Sequence, residues 1–72
     1  TKNNVLIGDV EALDCEGCLV RSEDKLTAIV GATNMVVVVT KDAVLVAPRE
    51  RTSELGKLVE QLKKKGRSEA KL

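Results

Sequence analysis

Residues 34–48 constrain this chain more than any other stretch, because they hold two valine-rich runs around a polar corner. The runs, 35–39 and 43–47, are separated by Thr40, Lys41 and Asp42. Valine is stiff at χ1 and packs well on a pleated surface, so both runs read as strands. Neither alternates apolar with polar, and a strand of that kind needs cover on both faces. Pro48 ends the second run, since it has no N–H to give to a ladder. Whatever lies above and below these valines sets the architecture.

Upstream, short apolar runs at 5–7, 10–13, 18–20 and 26–30 alternate with corners made of Gly, Asp, Asn and charged residues. Six short strands, punctuated this closely, make a mainly β body. A repeat runs through it. Residues 10–20 lie over 36–46 at a constant offset of 26, and 5–8 lie over 28–31 at an offset of 23. Asp14 and Glu16 then fall on Thr40 and Asp42, and the extra residues 32–34 absorb the difference. Repeats of this kind stack like on like. Read as two three-strand units, about 5–20 and 28–46, the body predicts 5–7 beside 28–30, 10–13 beside 36–39 and 18–20 beside 44–46, all parallel. That is a two-coil β-helix. The same residues also allow an antiparallel hairpin within each of 10–20 and 36–46.

From Arg51 the period changes. Leu55, Leu58, Val59 and Leu62 follow i, i+3, i+4, i+7, the stripe of an amphipathic helix. Thr52 or Ser53 can cap its start, and Lys63 to Lys65 suit its negative end. Gly66 is placed as a C′ residue. Gly56 costs about 1 kcal/mol relative to Ala, which predicts a close approach of the helix to the β body there. The chain thus divides into a β-helix-like body over 1–50, a helix over 51–66 and a frayed tail over 67–72.

A chain of 72 residues with no Phe, Tyr or Trp must build its core from Val, Leu, Ile, Ala and Met. It lacks aromatic anchors of roughly 150–250 Å² each, and a domain this small is marginal alone. Association with another chain or domain is therefore expected. The net charge of +1 hides an asymmetry: residues 1–48 carry four Lys/Arg against seven Asp/Glu, and residues 49–72 carry eight against four. A basic end at 63–67 leaves open a free-standing homodimeric β module that binds nucleic acid there, although no aromatic platform exists for base stacking. No apolar run approaches the roughly 20 residues of a membrane span. No signal peptide is seen, which makes the cytoplasm the default, and a first residue other than Met suggests a fragment.

Candidate chemistry is sparse. Cys15 and Cys18 form a C-x-x-C pair that could be half a zinc site completed by a second copy, a redox dithiol, or plain corner and core cysteines. The glycines at 8, 17, 31, 56 and 66 form no phosphate-binding loop. Arg21, Arg49 and Arg51 could hold a phosphate, with surface ion pairs as the plainer reading. With no histidine in the chain, no general base is nominated and the catalytic set is empty.

Three stretches carry a family resemblance: residues 4–10, residues 18–26 with Val20, Arg21, Ser22, Glu23 and Asp24, and residues 36–49 with Lys41, Asp42 and Arg49. Together with the ending over 58–67, they resemble the C-terminal part of bacterial mannose-1-phosphate guanylyltransferases, including the bifunctional enzymes with a phosphomannose isomerase. The resemblance spans roughly residues 3–68. It implies a short left-handed β-helix followed by one helix, behind a nucleotide-binding catalytic domain. The family's catalytic signatures and its divalent metal, such as magnesium, belong to that preceding domain, so no catalytic residue and no cofactor carries over to this segment. The isomerase's cupin would follow it. Cys15 and Cys18 stand outside the family pattern.

The resulting expectation is a structural and assembly module, inactive alone, that packs on its own catalytic domain and forms a homo-oligomer. The apolar faces expected to do this belong to Val36, Val37, Val38, Val39, Val44, Leu45, Val46, Leu55, Leu58, Val59 and Leu62.

Overall fold

The computed structural model describes residues 3–66. Strands β1 (Val5–Ile7), β2 (Val10–Leu13), β3 (Leu19–Ser22), β4 (Thr27–Val30), β5 (Met35–Val39) and β6 (Val44–Pro48) are followed by a 3₁₀ helix, Arg49–Glu54, and a single α-helix, α1 (Leu55–Lys64). One sheet has the order β1-β3-β5-β6; β2 and β4 form a second sheet. The chain therefore winds, laying alternate strands onto alternate sheets.

The winding has a register. Val10 sits beside Thr27 and Leu19 beside Val36, each partner seventeen residues on (27 minus 10, 36 minus 19). The corners obey the same spacing, since Glu16 bridges Thr33 in parallel. In the first turn Val5 sits beside Leu19, fourteen residues on. The step from Ile7 to Val10 is three residues and that from its partner Arg21 to Thr27 is six, which accounts for the difference. Left-handed backbone falls at matching places: Asp14 (φ 55) and Gly31 (φ 68) open the corners, while Gly17 (φ 69) and Asn34 (φ 52) close them. Short polar residues and glycine tolerate that region best. These corners turn the chain in place.

This differs from the expected pairing. Residues 5–7 do not lie beside 28–30, nor 10–13 beside 36–39, nor 18–20 beside 44–46. The repeating unit is two strands and a corner rather than three strands, because the apolar rhythm that suggested offsets of 23 and 26 ignores where the backbone must turn. The sheets are also mixed. β6 returns antiparallel along β5, with Val37 opposite Val46. Within 36–46 the hairpin reading holds; within 10–20 it does not, because β2 and β3 lie in different sheets and pair parallel with β4 and β5 instead.

At that reversal Thr40 N–H donates to the Ala43 carbonyl at 2.8 Å, and Ala43 N–H donates to the Thr40 hydroxyl at 3.1 Å. The Nζ of Lys25 donates to the Lys41 carbonyl at 2.9 Å and ties the β3–β4 connection to this turn.

β5 is the centre of the packing. Val37 and Val39 face the inside of the coil with Cys15, Cys18 and Val20, while Val36 and Val38 face Leu45, Ala47, Leu55 and Val59 on the helix side. Burying a valine fully is worth roughly 1.5–3 kcal/mol, so a run covered on both sides holds two cores together. The expectation of double cover is met by β5 but not by β6. There Leu45 and Ala47 are buried while Val44 and Val46 are exposed, because no strand of the second sheet lies beneath β6.

The helix starts differently from its sequence reading. Pro48 leads into a 3₁₀ turn, and neither Thr52 nor Ser53 caps α1, whose N-cap is Glu54 without a side-chain cap. Thr52 instead donates its hydroxyl to the Arg49 carbonyl. In a 3₁₀ helix residues i and i+3 eclipse, which suits Arg51 and Glu54, paired through two hydrogen bonds of 2.7 Å. Gly56 meets nothing within 4 Å of a built Cβ, so the expected close approach is absent; Leu55 and Val59 make the contact. Gly66, with φ 80, does close the helix, and its N–H reaches the Lys63 carbonyl at 2.9 Å. The tail expected at 67–72 lies outside the described residues.

Candidate interface surface

The apolar residues singled out by sequence divide into two groups. Val36, Val37, Val38, Val39, Leu45, Leu55 and Val59 are buried within the chain, and Leu62 packs against the helix-side core. They hold the fold and present no outer surface. Val44 (61% exposed), Val46 (54%) and Leu58 (43%) remain open, all beside the outer edge of β6. A groove along this edge is lined by Val46, Ala47, Pro48, Arg51, Glu54 and Leu58, with Leu55 at its floor. Sequence periodicity could not separate the groups, because both carry the same residue types.

Other exposed apolar side chains were not foreseen. Val5 and Ile7 of β1 share the outer face of the larger sheet with Leu19 and Arg21. Ile7, Leu19 and Arg21 border a second groove that reaches Val36, Val38, Thr52 and Leu55 beside the helix. Leu13 and Val30 sit side by side on the outer face of the smaller sheet. The signal for these positions was strand parity: once Val20 is known to face inward, Leu19 and Arg21 must face out.

The ends of the corner column are closed by side chains. The Asn4 amide nitrogen donates to the Cys15 carbonyl at 2.8 Å, and its oxygen accepts from Cys18 N–H at 2.9 Å. Between the corners, Glu16 N–H donates to the Ala32 carbonyl and Asn34 N–H to the Glu16 carbonyl. At the other end, Arg49 N–H donates to the Asn34 carbonyl at 2.7 Å, and its guanidinium reaches back to the Gly17 carbonyl at 2.9 Å. A buried backbone group left without a partner costs about 1–3 kcal/mol, so these two residues seal the stack.

The chemical candidates resolve by position. Cys15 and Cys18 are buried, and their thiols donate to carbonyls of their own turn and the next, Ile29 of β4 and Ala32 of the second corner among them. Thiols in that position cannot reach a second copy, which removes the shared zinc site. No group of His, Cys, Asp or Glu that could hold a metal occurs among the described residues. The three arginines do not converge. Arg49 is committed to Gly17 and Arg51 to Glu54, leaving Arg21 exposed on β3. The Arg51 hydrogen bond holds the Glu54 carboxyl below its usual range, and the same bond raises Arg51. Lys63, Lys64 and Lys65 are exposed at the end of α1, while Arg67 lies outside the described residues. No helix among the described residues is long and apolar enough to cross a membrane.

A family model described as the MannoseP isomerase/GMP-like beta-helix domain matches residues 8–62. The mannose-1-phosphate guanylyltransferase of Klebsiella pneumoniae is 49% identical over 70 residues, covering 97% of this chain and 15% of that protein. The xanthan biosynthesis protein XanB of Xanthomonas campestris is 46% identical over 69 residues, 96% of this chain and 15% of its own. The alginate biosynthesis protein AlgA of Pseudomonas aeruginosa is 41% identical over 66 residues, 92% and 14%. The chain thus spans about 15% of the length of these relatives. A crystal structure described as mannose-1-phosphate geranyltransferase from Thermus thermophilus matches with a TM-score of 0.72 and 33% identity, over 83% of this chain and 18% of that one.

Proposed function

This chain belongs to the MannoseP isomerase/GMP-like beta-helix domain family, and on that premise we propose that it is the structural and assembly module of a mannose-1-phosphate guanylyltransferase. The parent enzyme joins mannose 1-phosphate to GTP, forms GDP-mannose and releases pyrophosphate. The module is not catalytic alone. It packs on the catalytic domain, carries the parent's dimerisation, and works in the cytoplasm, where buried thiols stay reduced. We take the coil to be left-handed, two turns long, with any divalent metal held by the catalytic domain.

One observation carries this reading: relatives named for the guanylyltransferase reaction match nearly the whole chain, at up to 49% identity, with a small fraction of their own length. The fold supports it, since the described residues are spent on stacking, corner sealing and one helix cover. Exposed apolar groups remain on several faces of a small body, and such patches mark interaction sites.

A segment exchange tests it. The Klebsiella pneumoniae relative, with these 72 residues replacing its matching segment, should keep guanylyltransferase activity, and the isolated chain should show none. A soluble, folded chimera without activity would overturn the assignment. The dimerisation part is tested by sedimentation of the isolated chain, where a monomer at every concentration would count against it.

A further inference from the structure

β6 is an edge strand, and the hairpin fixes which of its backbone groups are free. The Thr40 N–H bond to the Ala43 carbonyl and the Arg49 N–H bond to the Asn34 carbonyl bracket the β5–β6 ladder. Hydrogen-bonded pairs alternate with non-bonded pairs in an antiparallel ladder. With Val38 opposite Leu45 and Val36 opposite Ala47, the groups of Leu45 and Ala47 therefore point to β5. Those of Val44, Val46 and Pro48 point outward. Pro48 has no N–H, so the outward donors of this strand are Val44 and Val46. Their side chains are also the exposed ones.

We propose that β6 pairs antiparallel with β6 of a second copy across a twofold axis at Leu45, a proposal that rests on the assembly reading above. In this register Val44 of each copy lies opposite Val46 of the other, and every outward N–H finds an outward carbonyl. A seam centred on Val46 instead sets Val44 against Pro48, which has no N–H to return. Side chains agree with the backbone. Val44 and Val46 share one face of the strand, so the pairing places them against each other and takes apolar surface from water. Self-pairing of an exposed edge is also what an uncovered strand is prone to. Here Pro48 limits how far it can extend.

The test is sedimentation velocity on the 72-residue chain, combined with amide exchange read by nuclear magnetic resonance over a concentration series. The expected result is a dimer in which the Val44 and Val46 amides slow as concentration rises. Val46→Lys should lose the dimer with its circular dichroism spectrum unchanged. Leu13→Lys, on the outer face of the smaller sheet, should keep it. A dimer whose Val44 and Val46 amides stay fast at every concentration overturns the edge pairing and leaves the assembly reading standing. A chain that stays monomeric throughout overturns the pairing and the dimerisation part of that reading together.

Discussion

The winding half of the molecule, up to β5, and its closing half, from Thr40 onward, are made of the same kind of valine-rich sequence and do opposite things with it. In the first, the runs of β2 and β4 end in corners with two left-handed residues three apart, Asp14 with Gly17 and Gly31 with Asn34. The chain turns sideways there and returns parallel, one level up. In the second, the turn at 40–43 has no left-handed residue, and Thr40 bonds to Ala43 from both its hydroxyl and its amide. The chain reverses there and lies antiparallel. Corner chemistry, not strand composition, decides between a coil and a hairpin.

The sharpest way to break this contrast is at Gly8, in the first connection of the winding half. Its φ is 94, and a Cβ there would meet the Ser22 carbonyl oxygen at 2.0 Å. Gly8→Ala combines backbone strain with a clash, and should cost about 3 kcal/mol or more. A domain of this size would then be largely unfolded in a urea titration. Retention of wild-type stability would show that the β1–β2 connection can relax, and that the winding half is looser than its corners imply.

Next in size is the difference between the two cores. Val20 is fully buried inside the coil, while Val59 packs from the helix onto the sheet at 7% exposure. Val20→Ala should lose about 2 kcal/mol, because the surrounding turns cannot close the gap. Val59→Ala should lose nearer to about 1 kcal/mol, since a single helix can shift to follow the smaller side chain. Equal losses in denaturant melts would mean that the helix is held as rigidly as the coil.

Asn4→Ala should lose about 1–2 kcal/mol, in the range of these two truncations, through the two backbone partners it leaves at Cys15 and Cys18. Faster amide exchange at Cys18 would locate the loss. The smallest effect belongs to the Arg51–Glu54 pair, which is exposed and screened by salt. The folded Glu54 carboxyl is held below its unfolded range. Its contribution is thus present above the unfolded value and fades as pH falls through the folded one. Thermal midpoints of wild type and Glu54→Gln should differ slightly at neutral pH and converge in acid.

Sequence carried the element types well. All six strands, the one C-terminal helix and its closing glycine were legible from β-branched runs, punctuation and period. The level of pairing was not, because an apolar rhythm repeats at many offsets, whereas the left-handed corners repeat at one. Aligning Asp14 with Gly31 and Gly17 with Asn34 would have found it. Among the surface candidates, Val44, Val46 and Leu58 were picked out together with eight others that the fold keeps for itself or half covers. Burial on both faces of β5 depends on a helix far downstream in the chain, which no local pattern around the valines reports. The roles of Asn4 and Arg49 were hidden for a related reason. Each partners a backbone group whose need arises only once the coil is wound.

Those two seals have a consequence for how such a body could lengthen. Asn4 below binds the first corner, and Arg49 above binds the last corner through its N–H and the corner beneath it through its guanidinium, so each meets only backbone groups that every turn repeats. Another turn of like sequence inserted after Leu13 would meet one open ladder below it and one above, and both lids would still fit. Height in this architecture is therefore an adjustable quantity, set by how many turns lie between two fixed closures.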